Sequence, residues 1–201
     1  MDEILFFDVE TSGLPKKYNA GVNEVDNWPK MVQIAWIIYK GQKEVSCNDY
    51  IVIPEGFKIP EDAYRIHGIT NERANKEGFR LPFVLNKFNQ DFFHSDKVVA
   101  HNINFDIKIV GAENYRLQSR DMGMEEHELA CTMRGSTDFC QLPSKNGKKG
   151  YKWPKLAELH ERLFGEGFDN AHDALADIRA TSKCYFELEG LGVINSKPKL
   201  I

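Results

Sequence analysis

The sequence contains few cysteines and no long hydrophobic run. Its four cysteines form no CxxC pair and no zinc-type spacing. We interpret them as free thiols in a reducing compartment and expect a cytoplasmic protein. The acidic start Met1-Asp2-Glu3 does not match a secretory signal. The longest apolar stretch, Ile34 to Tyr39, is far shorter than the ~20 residues that cross a bilayer, so no membrane association is expected.

An excess of positive charge is also lacking, since the formal net charge is −4. This argues against a generally basic nucleic-acid-binding surface, although bound cations make an acidic site locally positive. Basic residues do cluster in the segment 145–155, which also contains Tyr151 and Trp153. Two interpretations of this segment stay open: a solvated loop, or a contact with nucleic acid.

Several common site motifs are missing. The segment 147–150 lacks the Gly-Lys-Ser/Thr of a phosphate-binding loop, and there is no GxGxxG and no GxSxG. His127-Glu128 and His160-Glu161 both lack the second histidine of a zinc-protease helix. These absences argue against the common classes of nucleotide-binding proteins, serine hydrolases and zinc proteases.

The 201 residues suffice for one domain with a full core, and we expect a single domain over residues 1–201. Apolar patterns predict three strands joined by short turns, which then give way to strands alternating with helices. This order indicates an α/β fold with a mixed sheet. The predicted strands cover 4–10, 31–39, 44–53, 97–100 and 129–133, and the predicted helices cover 82–93, 104–120, 153–164 and 171–188.

The first candidate motif is Asp8-Val9-Glu10 at the end of an apolar strand. Residues two apart on a strand project from the same face, so both carboxylates point the same way. Such acid-x-acid triplets arise by chance roughly four times in a chain of this composition, so the triplet alone is weak. A buried strand that ends in two same-facing acids, however, needs a cation to offset their repulsion.

The second candidate motif runs from His101 to Asp106 and follows the apolar strand 97–100. The pattern H-N-x-x-F-D arises by chance on the order of once in five hundred such chains. Asn104 as a helix N-cap and His101 as a satisfied polar residue would explain part of the motif structurally. Asp106 is left unexplained by that interpretation.

The third candidate motif runs from His172 to Asp177. At 100° per residue the two ends lie about 140° apart on an ideal helix and cannot share a face. One consistent geometry has Asp177 facing the sheet while His172 leans over the site from the first turn. Asp173 fits a helix-start carboxylate better than a ligand.

Together, the three motifs resemble those of the DEDD exonuclease superfamily, in its histidine-containing DEDDh (DnaQ-like) branch. That branch includes the proofreading subunit of bacterial replicative DNA polymerase, ribonuclease T and oligoribonuclease. The segment His67-Gly68-Ile69-Thr70 resembles an HGIT segment of proofreading-type members. The branch with tyrosine in the third motif would need Tyr at position 173, where this chain has Asp.

The resemblance implies a ribonuclease H-like fold, with a five-stranded mixed sheet of three antiparallel and then two parallel strands flanked by helices. It also implies two divalent metal ions, Mg²⁺ or Mn²⁺, which suit hard oxygen ligands. The implied metal ligands are the carboxylates Asp8, Glu10, Asp106 and Asp177, with His172 as general base. Thr11, Leu14, His67 and Phe105 are implied to contact the terminal nucleotide, with Leu14 as a wedge against the last base.

The implied activity is 3′–5′ hydrolysis of single-stranded or frayed DNA with release of nucleoside 5′-monophosphates. A ribonuclease of the same branch, trimming RNA 3′ ends or degrading short oligomers, stays an alternative. A non-catalytic nucleic-acid-binding module predicts at least one lost metal ligand, and none is lost.

Two departures from the family pattern bear on partners. We expect no counterpart of the tail that tethers the proofreading subunit to its polymerase, and two alternatives stay open: the protein acts alone, or it contacts a polymerase through another surface. The stretch 15–29 is longer than in the compact family pattern, and we expect it to shape the substrate groove.

Overall fold

The computed structural model describes residues 2–144, 149–169 and 172–194. The strands are β1 (Glu3–Thr11), β2 (Met31–Lys40), β3 (Lys43–Ile51), β4 (Lys97–Ala100) and β5 (Leu129–Cys131). The helices are α1 (Glu61–His67), α2 (Asn71–Glu77), α3 (Leu81–His94), α4 (Ile103–Gln118), α5 (Thr132–Gly135), α6 (Thr137–Cys140), α7 (Leu156–Phe164) and α8 (Ala174–Gly190). None of the helices in the described ranges combines the length and apolar character needed to span a bilayer.

The five strands form one sheet in the order β3-β2-β1-β4-β5. β1 pairs with β2 and β2 with β3 in antiparallel fashion, whereas β1 pairs with β4 and β4 with β5 in parallel. This arrangement confirms the predicted mixed sheet of three antiparallel and two parallel strands. It also places β1, which carries the first motif, at the centre of the sheet.

Helices cover both faces of β1, because its side chains alternate between two apolar layers. Leu5, Phe7 and Val9 belong to a fully or nearly buried cluster that includes residues of α3 and α4. Phe6 points to the other face, where its ring meets Tyr185 of α8 edge-on with centroids 5.4 Å apart. The strand is thereby fixed from both sides, and the positions of the residues at its end are fixed with it.

Some predicted elements differ from the structure in extent. The helix predicted over 153–164 begins only at Leu156, since Pro154 disfavours the helical conformation of the residue before it. The helix predicted from 171 begins at Ala174, where the side chain of Asp173 caps it by accepting from the Ala176 N–H at 3.1 Å. The strand predicted to 133 ends at Cys131, because the chain turns at once into α5. The short helices α1, α2, α5 and α6 were not predicted.

The stretch 15–29, in which no strand or helix is predicted, contains one short 3-10 turn, Val25–Asn27. It is anchored to α4. Arg116 donates to the carbonyl oxygen of Trp28 at 2.6 Å and pairs with Glu113 at 2.8 Å. Glu113, which is 2% exposed, accepts from the N–H of Met31 at 2.9 Å. A buried, fully paired charge cluster therefore holds this stretch against the same helix that begins at the second motif.

We predict that Arg116→Ala lowers the free energy of unfolding by about 3 kcal/mol, since it leaves the Glu113 carboxylate buried without its partner. Urea unfolding followed by circular dichroism measures the change. The matched control is Arg65→Ala, which breaks an exposed pair with Glu61 and should change stability little. Equal effects of the two substitutions would contradict the proposed anchoring.

Candidate active site

The first two carboxylates lie where β1 leaves the apolar core. Asp8 and Glu10 alternate with the buried Val9 and share the sheet face that α8 covers. Both are partly buried. This is the same-face geometry expected from the i, i+2 spacing on a strand.

The third carboxylate, Asp106, lies in the first turn of α4 and is only 2% exposed. α4 starts two residues after β4, and β4 lies beside β1 in parallel, so the start of the helix meets the end of β1. The N-cap position is occupied by Asn102, with a left-handed φ of 72°, and not by Asn104, which the structural interpretation of the motif placed there. The tight left-handed turn brings Asp106 to the strand end.

The fourth carboxylate, Asp177, lies in the first turn of α8. One oxygen, Oδ2, accepts from the backbone N–H of His172 at 3.2 Å. The other oxygen, Oδ1, is buried and has no hydrogen-bond partner within the described ranges. An ionised carboxylate oxygen without a partner in a buried position is costly, and a cation would satisfy it.

His172 lies before α8 and not in its first turn, which corrects the expected placement. Its side chain is exposed, and its φ of 72° lies in the left-handed region that non-glycine residues rarely adopt. A ring nitrogen of His172 and carboxylate oxygens of Glu10 and Asp177 all lie within 4.8 Å of one another. The imidazole thus lies beside two of the carboxylates, from a residue that precedes the helix and has a left-handed backbone conformation.

Burial and mutual repulsion raise the pKa values of these carboxyl groups. Desolvation, followed by the charges of Asp106 and Glu10, raises the pKa of Asp8 well above its usual range. Desolvation together with Asp177 raises the pKa of Glu10 to about 8. Burial raises the pKa of Asp177 to about 6, and burial also raises that of Asp106. Four acids in this state fit a site for divalent cations, because cations would remove the repulsion and supply the missing partner of Asp177.

The four carboxylates and His172 line one cleft of about 810 Å³. A second cavity of about 470 Å³ adjoins it and is lined by Thr11 and His67. Leu14 and Phe105 line both cavities, and the Leu14 side chain is 74% exposed. The structure thus brings the predicted substrate residues beside the carboxylates and places Leu14 on the boundary between two spaces.

The side chains of Thr11 and His67 each form a hydrogen bond within the protein. The Thr11 hydroxyl donates to the carbonyl oxygen of Gly13 at 2.7 Å, which shapes the turn that presents Leu14. The Nδ1 atom of His67 accepts from the N–H of Ile69 at 3.1 Å. Burial lowers the pKa of His67, so its ring is neutral at pH 7 and carries the proton on Nε2.

Other residues of the first cleft did not emerge from the motifs as site candidates. They are Met133, Trp153, Pro154, Lys155, Leu156, Ala157 and Phe168. The one signal in the sequence for these residues was the mixture of aromatic and basic residues in the segment 145–155. Lys145 and Lys148 lie outside the described residues. Of the described lysines of this segment, Lys155 lines the cleft, whereas Lys149 and Lys152 do not, and Lys152 pairs with Glu158.

Comparisons with known proteins extend these observations. The family model RNase_T, described as an exonuclease, matches residues 5–185. The PolC-type DNA polymerase III of Streptococcus pneumoniae is 29% identical over 181 residues, which are 90% of this chain and 11% of the polymerase. The corresponding protein of Caldanaerobacter subterraneus is 26% identical over 190 residues, or 92% of this chain and 11% of the polymerase. The chain thus spans about a tenth of the length of these curated relatives.

Solved structures of exonuclease I share the fold. E. coli exonuclease I in complex with a dT13 oligonucleotide matches with a TM-score of 0.72 and 19% identity, over 94% of this chain and 41% of that protein. The exonuclease I of Methylocaldum szegediense matches with a TM-score of 0.73 and 20% identity, over 100% of this chain and 42% of that protein. This likeness confirms the ribonuclease H-like fold.

The raised pKa of Glu10 predicts how stability depends on pH without metal. A folded-state pKa of about 8, against an ordinary 4.5, means that the folded protein binds the proton more tightly than the unfolded chain. In chelator, stability should therefore fall as pH rises from about 4.5 to about 8, by up to about 1.4 kcal/mol per pH unit from this group. Thermal melts across this range measure the slope.

Glu10→Gln should flatten the slope, whereas Glu72→Gln, at an exposed position on α2, should leave it unchanged. Mg²⁺ should raise the melting temperature more at pH 8.5 than at pH 5.5, since it binds the ionised acids of the folded state. A melting temperature that is independent of pH in chelator would contradict the repulsion at this site.

Proposed function

The chain belongs to the RNase_T exonuclease family, and from this premise we propose that it removes nucleoside 5′-monophosphates from the 3′ end of single-stranded or frayed DNA. The observation that carries the proposal is the convergence of four carboxylates from β1, α4 and α8 in one cleft. Hydrolysis of a phosphodiester requires charge stabilisation at the phosphate, and divalent cations held by clustered carboxylates would supply it.

We assign the binding of two divalent ions, Mg²⁺ or Mn²⁺, to Asp8, Glu10, Asp106 and Asp177. The ions would supply a lowered pKa for the attacking water and charge stabilisation for the attacked phosphate. Hard carboxylate oxygens suit these ions better than softer metals. The unpartnered Oδ1 atom of Asp177 supports this assignment, because a buried oxygen in this position lacks a donor from the described part of the protein.

We assign the role of general base to His172. Its imidazole lies beside Glu10 and Asp177 yet is exposed, so a water in the cleft can reach it. His172 would accept a proton from this water while the water oxygen attacks the phosphorus. The bond from phosphorus to the 3′ oxygen of the upstream nucleotide then breaks, that oxygen takes a proton from solvent, and the terminal nucleotide leaves with its 5′ phosphate.

The second cavity is proposed to hold the terminal nucleotide. Thr11, His67 and Phe105 would contact the base and sugar of the terminal nucleotide. Leu14 would separate the terminal base from the penultimate base. Such a wedge suits ends that are already unpaired, since unpairing a duplex end costs a few kcal/mol. The polymerase relatives and the oligonucleotides bound to exonuclease I favour DNA over RNA as the substrate.

We predict that a 5′-labelled single-stranded oligonucleotide is shortened stepwise from its 3′ end in Mg²⁺ and is intact in chelator. A blunt duplex should be degraded more slowly, and RNA of the same sequence more slowly than DNA. Gel analysis of the products and identification of released 5′-monophosphates test this. Ready cleavage of circular single-stranded DNA, or full activity in excess chelator, would overturn the proposed function.

The role of His172 predicts a specific kinetic result. His172→Ala should lower kcat by about 10²–10⁴-fold while leaving metal-induced stabilisation nearly intact, because a general base does not hold the ion. Asp8→Ala should weaken activity and metal-induced stabilisation together. The pH–rate profile of the wild type should contain an inflection that is absent from the profile of His172→Ala. A wild-type kcat in His172→Ala would assign the base elsewhere.

A further inference from the structure

Trp153 forms an exposed aromatic wall of the carboxylate cleft that the proposed mechanism does not use. Its side chain is 59% exposed, although it lines the same space as Asp8 and His172. The other tryptophans, Trp28 and Trp36, are 4% and 0% exposed and belong to the core. Exposing a large apolar ring to water is costly unless the ring meets a partner.

The segment that carries Trp153 is held in place by His101. Burial lowers the pKa of His101 to about 4, so its ring is neutral at pH 7. The Nε2 atom lies 3.1 Å from the carbonyl oxygen of Pro154, which can only accept, and therefore donates to it. The Nδ1 atom then accepts from the hydroxyl of Thr132 at 2.9 Å. The second motif thus fixes the loop before α7 to the beginning of α5.

A cation also lies against the ring. The guanidinium carbon of Arg134 is 5.3 Å from the centroid of Trp153, a cation–π arrangement. Arg134 is itself exposed, and the indole keeps most of its surface accessible. An anchored aromatic ring beside an arginine is the combination that binds single-stranded nucleic acid by stacking and charge.

The position of the ring relative to Leu14 indicates which nucleotide it meets. Leu14 lines both the first cleft and the second cavity, which is assigned to the terminal nucleotide. Asp8, Asp106 and Asp177 line the first cleft and not the second cavity, so a strand whose last phosphate lies over these carboxylates extends into the first cleft. Trp153 lies there, and it is absent from the lining of the second cavity.

We propose that Trp153 stacks on the base of the penultimate nucleotide, with Arg134 near the adjoining phosphate, so that the enzyme grips the strand immediately upstream of the scissile bond. This inference rests on the proposed function, since it presupposes that the strand end lies in the cleft. Stacking on a base would let a chain of net charge −4 bind a polyanion without an overall basic surface, since less of the binding then depends on lysine contacts to phosphates.

Binding tests the inference without requiring turnover. The probe is a ten-nucleotide oligothymidylate with a 5′ fluorescein and a methylphosphonate at the terminal linkage, which resists hydrolysis. Fluorescence anisotropy should show Kd raised about 10-fold in Trp153→Ala and restored within about 3-fold in Trp153→Phe. With an unlabelled probe, tryptophan fluorescence should be quenched on binding in the wild type and unchanged in Trp153→Phe. Phe93→Ala, which truncates an exposed ring outside both cavities, should match the wild type.

A double-mutant cycle identifies the stacked base. Removing the penultimate base from the probe should weaken wild-type binding about as much as Trp153→Ala does, and should have little further effect on that variant. Equal losses for wild type and variant, or coupling to the terminal base instead, would overturn the inference. Intact 3′–5′ digestion by a Trp153→Ala enzyme with wild-type Kd would overturn this inference alone. Absence of metal-dependent digestion by the wild type would instead overturn the proposed function.

Discussion

Repulsion among the carboxylates at the end of β1 is the constraint on which the arrangement of this protein depends. Asp8, Glu10, Asp106 and Asp177 are partly or fully buried, and burial raises the pKa of each; the charges of neighbouring acids raise the pKa values of Asp8, Glu10 and Asp106 further. Without cations, ionising them works against the folded state, and a buried oxygen of Asp177 has no partner among the described residues. The rest of the fold must therefore supply enough packing to hold these acids together.

That packing centres on β1. The strand lies in the middle of the sheet, between an antiparallel neighbour and a parallel neighbour, and its apolar residues are buried on both faces. Two helices bring the remaining acids to its end: α4, through the left-handed turn at Asn102, and α8, through the cap at Asp173. The paired charges of Arg116 and Glu113 then fix the stretch 15–29 on α4. The unfavourable electrostatics of the site are thus supported by rigid elements and not by loops.

The cleft combines charged carboxylates with apolar side chains whose positions are fixed by hydrogen bonds. Leu14 is exposed at the boundary of two cavities, and the turn that carries it is closed by the hydroxyl of Thr11. In the first cleft, the hydrogen bond from His101 to the carbonyl oxygen of Pro154 anchors the loop that carries the exposed Trp153. His101 belongs to the second motif, yet its polar atoms are satisfied within the protein, as the structural interpretation of the motif expected. Its contribution lies in fixing the position of the wall.

The sequence by itself determined the existence of five strands, the α/β class with a mixed sheet and the local chemistry of each motif, whereas the order and pairing of the strands were implied only by the family resemblance. Strand and helix periodicities are local properties of the chain, and the i, i+2 spacing of Asp8 and Glu10 fixes their common face whatever surrounds them. Helix starts were predicted less well. Pro154 delays α7 and Asp173 delays α8, because the first turn of a helix depends on caps that periodicity does not reveal.

Only the tertiary structure decided how the motifs meet. The meeting of Asp106 with β1 depends on the parallel pairing of β4 with β1, which is a contact between residues about ninety positions apart. The direction of His172 depends on a left-handed backbone conformation that no residue preference predicts for histidine. The place of Trp153 in the cleft depends on the hydrogen bond between His101 and Pro154, across 53 positions. Such long-range contacts arise from the packing of the whole chain, so local sequence patterns carry no signal for them.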